Sequence, residues 1–125
     1  MGKGEQAALL HPQGFNCAQC VLKVCSDYTG LDDATATAVA SGFGGGVRSG
    51  EICGAATGGV MAIGLTASRT GNTDKIASLT KNFVAQFRAD QGCVRCAELK
   101  GKGLTCDELI AGLARITEEM INENR

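Results

Sequence analysis

The sequence predicts an all-α fold, a compact bundle of about five helices forming one domain over residues 1–125, with a glycine-rich loop between helices two and three. Three observations carry that reading. Apolar residues recur at three- and four-residue intervals and nowhere alternate as a half-buried strand would. Side chains able to cap a helix stand where those runs begin. The single proline, Pro12, lies near the start, so the chain beyond it is free to be helical.

Residues 1–13 are read as a leader ahead of the bundle, mobile in solution. Asn16 opens the first helix, with Gln19 at the third helical position as in a capping box and Val21, Leu22, Val24 and Cys25 as the apolar stripe; the helix should end near Gly30. Asp32 or Asp33 starts a short alanine-rich second helix from Ala34 to Ala40. Gly42-Phe43-Gly44-Gly45-Gly46 ends it. The third helix runs from Ile52 to Ser68, with Ile52, Ala56, Gly59, Ile63 and Ala67 on one side; Gly54, Gly58 and Met61 lie toward another, where small residues let a neighbouring backbone come close. Asn72 or Thr73 caps the fourth, carrying Ile76, Leu79, Phe83, Val84 and Phe87 and ending at Gly92. Thr105 and Glu108 form a second capping box before Leu109, Leu113, Ile116 and Met120, and a fifth helix closes the chain.

A chain of 125 residues buries about two thirds of its unfolded surface and needs no covalent staple to fold. Twelve Lys and Arg against thirteen Asp and Glu give a net charge of −1, without the basic excess that phosphate contacts require, so nucleic acid is not an expected partner. The most apolar stretch, Ile52 to Ala67, contains four glycines and falls short of the roughly 20 residues of a membrane span. The amino terminus has no apolar signal segment, and the expected location is cytoplasmic, where thiols stay reduced. Against that background seven cysteines are many.

Their positions relative to the helix starts are informative. Cys17 follows the Asn16 cap, Cys106 follows the Thr105 cap, and Cys53 lies at the start of the third helix; Cys96 stands just past the Gly92 break. Unpaired N–H groups and the positive dipole end at a helix start favour a thiolate, the form that attacks disulfides and binds metals. Cys20 and Cys25 lie on or beside an apolar stripe and read as small buried hydrophobes. Cys17 with Cys20 and Cys93 with Cys96 also make C-x-x-C pairs, but the 72 residues between the pairs far exceed the spacing of about 15–20 in a zinc ribbon. No C-x-x-C-H haem attachment site occurs.

The loop from Gly42 to Gly50 fails a phosphate test, since Val47 replaces a glycine of the dinucleotide pattern and Glu51 stands where a P-loop has lysine. Its glycines suit close backbone approach, and Gly44, Gly45, Gly46 and Gly54 are the positions expected to turn main-chain N–H groups into a site around Cys53. His11, the sole histidine, falls in the leader and reads as solvent-exposed, so a Cys–His pair would require that segment to fold back. Asp107, Glu108 and the other carboxylates read as capping and solvated groups. Arg88, Arg95, Lys100 and Lys102 read as a solvated face.

Gly42-Phe43-Gly44-Gly45-Gly46, followed by Cys53-Gly54-Ala55-x-x-Gly58 with one cysteine near the start and two near the end, resembles the family of proteins described as redox-active and named for the pattern C_GCAxxG_C_C. The resemblance runs from Gly14 to about Ile121. It implies four characteristic cysteines: Cys17, Cys53, Cys96 and Cys106. Cys96 is favoured over Cys93 because Glu98-Leu99 follows it, as in the family's Cys-x-Glu-Leu habit. Cys20, Cys25 and Cys93 depart from the pattern.

Three functions are expected in competition. In the leading one the four thiols cluster, Cys53 attacks or is oxidised, and Cys17, Cys96 or Cys106 resolves it into a disulfide with an unnamed redox partner. In the second the same four thiolates ligate an iron–sulfur cluster or zinc. The third is a helical interaction module with incidental thiols. The third helix, apolar or small on two sides, must be covered all round, so a homodimer is expected to help bury it.

Overall fold

The computed structural model describes residues 2–124, and over these the all-α class holds. The helices are α1 (Lys3–Leu10), α2 (Cys17–Val24), α3 (Ser26–Thr29), α4 (Asp33–Val39), α5 (Gly54–Arg69), α6 (Ile76–Gln91), α7 (Cys96–Gly101) and α8 (Cys106–Glu123). Single turns at His11–Gln13 and Thr73–Lys75 precede α2 and α6. Among the described residues the extended pairing is one isolated antiparallel bridge, Ile52 to Arg95.

Eight α-helices therefore replace the expected five. The first expected helix breaks at Cys25, whose backbone leaves the helical region at φ −93° and ψ 12°, and α3 adds one turn before the left-handed Gly30. The segment after the left-handed Gly92 curls into the six-residue α7. The third addition is α1, built from the segment expected to be a mobile leader. It lies antiparallel along α8, so tightly that a Cβ on Gly4 would stand 2.6 Å from the Ala111 carbonyl oxygen. Ala7 is fully buried there, and the Lys3 ammonium donates to the Val24 carbonyl at 3.0 Å and the Asp27 carboxylate at 2.9 Å. Small residues, rather than an apolar stripe, make this contact.

The caps expected at Asn16, Asp32 and Thr105 form, whereas Asn72 and Thr73 lie at the turn ahead of α6, whose N-cap is Lys75 without a side-chain cap bond. Asn16 and Gln19 close a reciprocal capping box on α2, and Thr105 and Glu108 close another on α8. The central element is α5, whose small residues admit its neighbours. A Cβ on Gly58 would stand 2.7 Å from the Ala18 carbonyl oxygen of α2, and one on Gly59 would meet Phe83 of α6 and Thr117 of α8. Phe83 is fully buried and Phe87 nearly so. The remaining side of α5, at Met61 and Leu65, joins Leu22, Leu31, Thr35 and Val39 in an open, mainly apolar groove. Among the described residues no helix is long and apolar enough to cross a membrane.

Candidate functional site

Cys17, Cys96 and Cys106 are the first residues of α2, α7 and α8, and Cys53 is the residue that caps α5. Two backbone devices gather three of them. The first is the bridge between Ile52 and Arg95, in which the Cys53 N–H donates to the Val94 carbonyl at 2.9 Å and the Cys96 N–H donates to the Glu51 carbonyl at 2.6 Å. The start of α5 is thereby tied to the start of α7. Arg95 reinforces the tie from outside, its guanidinium pairing with Glu51 at 3.1 Å and Glu98 at 3.4 Å. The group expected to be a solvated cation is thus a clamp, although a solvent-exposed one that contributes modestly.

The second device is Gly54. Any Cβ there would collide with the Cys17 sulfur and stand 2.8 Å from the Phe43 carbonyl oxygen. Only glycine lets the start of α2 lie directly on the residue beside Cys53. Gly44 serves the same approach, since its Cβ would come within 2.8 Å of the Asn16 side chain. Gly46 is left-handed at φ +66°, and a Cβ there would meet the backbone of Glu51. Gly45 is left-handed at φ +63° with open space beside it. Gly44, Gly46 and Gly54 thus explain the close packing, Gly46 against main chain, Gly44 against the Asn16 side chain and Gly54 against both kinds of atom.

Burial dominates the chemistry of Cys53. It is 3% exposed, and desolvation pushes its pKa up to about 11 from the ordinary 9.0. The Ala55 and Ala56 amides act in the opposite direction, and the charges of Cys17 and Cys96 then raise it further. The expectation that a helix start would make Cys53 a thiolate is corrected: dehydration of the sulfur outweighs the dipole. Cys17 is half-buried, as are Cys93 and Cys106. Cys20 and Cys25 are fully buried with pKa values pushed up to about 12, chiefly by desolvation, in keeping with a packing role.

Cys106 opens the helix on which the amino-terminal segment docks. Its neighbour Asp107 accepts from His11 Nδ1 at 2.6 Å, so the segment carrying the sole histidine does fold back, onto the start of α8. Asp107 and Cys17 both act electrostatically on Cys20, which places His11 on the α2 side of the thiols. Sequence spacing could not reveal this pair, because its partners are 96 positions apart.

Among the described residues no three of His, Cys, Asp and Glu are grouped as a metal ion would need.

A helical domain that sets thiols at four helix starts and draws three together over a glycine contact defines a class of helical thiol protein. The family described as "Putative redox-active protein (C_GCAxxG_C_C)" matches residues 15–120, and the chain belongs to that family. No curated protein and no solved structure matches the chain.

Proposed function

We propose that the protein carries out thiol–disulfide exchange, with Cys17 as the attacking thiol and Cys53 as its first resolving partner. The observation that carries this reading is the seating of the Cys17 sulfur against Gly54, beside Cys53 and the Cys96 strand tie. In the exchange, the Cys17 thiolate attacks one sulfur of a substrate disulfide, RSSR, and expels one RS⁻, leaving a mixed disulfide. Cys53, losing its proton to solvent, then attacks the Cys17 sulfur and expels the second RS⁻. The protein dithiol is oxidised to a disulfide and the substrate is reduced to two thiols, each taking up a proton.

The roles are exchanged relative to the sequence expectation because Cys53 is buried and holds its proton at neutral pH, whereas Cys17 is partly accessible. A resolving thiol tolerates burial, since its target is delivered by the protein itself. Cys96 is the second candidate resolver and Cys106 the fourth thiol of the set.

The test is disulfide mapping by mass spectrometry after exposing reduced protein to a small disulfide, with Cys-to-Ser changes at each of the four positions. A Cys17–Cys53 bond in the wild type, a trapped mixed disulfide on Cys17 in Cys53→Ser, and no reaction in Cys17→Ser are expected. Unchanged reactivity in Cys17→Ser would overturn the assignment. Iron or zinc near stoichiometry in anaerobically purified protein would overturn the thiol reading in favour of a metal centre.

A further inference from the structure

A cleft of about 370 Å³ opens between the His11–Gln13 turn, the start of α2 and the glycine-rich loop, and Asn16, the residue before Cys17, lines it. That volume is within the range of small-molecule sites, roughly 300–1,000 Å³. Its lining comprises Phe15, Gly14 and five polar side chains, those of His11, Asn16, Gln19, Ser41 and Arg48, with no carboxylate among them.

Two of those side chains are already committed. Asn16 Oδ1 accepts the Gln19 N–H, and Asn16 Nδ2 donates to the carbonyls of Ala40 and Ser41. Gln19 Oε1 accepts the Asn16 N–H, and its Nε2 donates to the Thr37 carbonyl. Donor capacity remains elsewhere. Among the described residues Arg48 makes one hydrogen bond, from Nη2 to the Ser41 carbonyl at 3.1 Å, and no ion pair; a guanidinium has five N–H donors in all. His11 donates from Nδ1 to the Asp107 carboxylate, which leaves Nε2 of the neutral ring as an acceptor, so the donors open to an occupant are those of Arg48.

The backbone beneath Arg48 is also unusual. Val47 and Arg48 sit at φ +57° and +58°, in the left-handed region that non-glycine residues avoid by about 1–2 kcal/mol each. Such strain gathers at ligand clamps, where the surroundings over-determine it.

We propose that this cleft binds the carboxylate of a small anionic disulfide, with Arg48 as its anchor, so that the substrate sulfurs lie beside Cys17. The proposal rests on the thiol-exchange reading and names its substrate class. The planar guanidinium suits a carboxylate, which it can hold through two parallel N–H donors. The reaction is the exchange already written, with the anionic disulfide as the oxidant.

The test uses three disulfides of similar length: dithiodipropionate, hydroxyethyl disulfide and cystamine, which are anionic, neutral and cationic. Oxidation of reduced protein is expected to be fastest with the first and slowest with the last, by about tenfold per step at low salt. Arg48→Gly relieves the left-handed backbone, so it should fold, and it is expected to level the three rates; Arg48→Lys should restore part of the order. Equal rates in the wild type, or an order unchanged in Arg48→Gly, would overturn the proposal while leaving the exchange chemistry standing. Suberate, a dicarboxylate of the same length without sulfur, separates the two readings. Amide shifts at Ser41 and Arg48 on adding suberate, lost in Arg48→Gly, support the cleft even if no disulfide reacts; their absence in the wild type counts against it.

Discussion

At the scale of single residues, the seven thiols differ by burial more than by sequence context. Iodoacetamide under native conditions at pH 8 should label Cys17, Cys93 and Cys106 first, and leave Cys20, Cys25 and Cys53 protected until the protein unfolds. Peptide mapping over time would check this, and early labelling of Cys53 would contradict its placement. The same burial sets a pH dependence. Cys53, at about 11, and Cys20 and Cys25, at about 12, all lie above the ordinary 9.0, so the folded protein retains protons that the unfolded chain releases. Their contribution to stability is whole below pH 9 and is lost as pH rises through 11 to 12. Urea midpoints measured on reduced protein should therefore fall above pH 9; a flat profile would show that these sulfurs are hydrated. The burial of Cys20 and Cys25 was legible in the sequence because it follows the apolar stripe of α2. That of Cys53 was not, because local position suggests a dipole and only the tertiary packing shows that water has been removed.

At the scale of elements, the glycines at the start of α5 carry the site. Gly54→Ala should destabilise the fold by about 2–3 kcal/mol, because the added methyl meets a sulfur on one side and a backbone carbonyl on the other. It should also change the Cys17 labelling rate, since α2 must move away. Gly64→Ala, with nothing within 4 Å of its Cβ, is the control within the same helix and should be neutral or slightly stabilising. Thermal unfolding of the two variants checks both, and equal effects would refute the close-approach argument. The helices with capping boxes, α2 and α8, were readable because a cap is a local signal. The loop's glycines were readable as a place of close approach, though the partners were not. Most hidden was α1: Gly4 and Ala7 carry no strong apolar period, and their burial depends on a helix more than a hundred residues away.

At the scale of the whole molecule, α5 receives most of its cover from α2, α6 and α8 of its own chain, and the strip at Met61 and Leu65 belongs to its half-buried side. The expectation of a two-fold dimer now concerns that strip. Sedimentation of reduced protein should give twice the chain mass, and a single species at 12.8 kDa would remove the second copy from the account. The packing of α1 on α8 bears on the order in which the fold is made. It joins near-opposite ends of the chain, and α8 also supplies Thr117 against Gly59 in the centre. A nascent chain emerging from the ribosome can form α2 to α6 locally, with Lys3 of α1 reaching Val24 and Asp27, but α1 lacks its larger seat until α8 appears. During synthesis, then, His11 and the cleft wall it forms should be assembled last. Chains arrested before Cys106 should leave residues 3–13 open to protease, and chains with α8 exposed should protect them within the folding time of the domain.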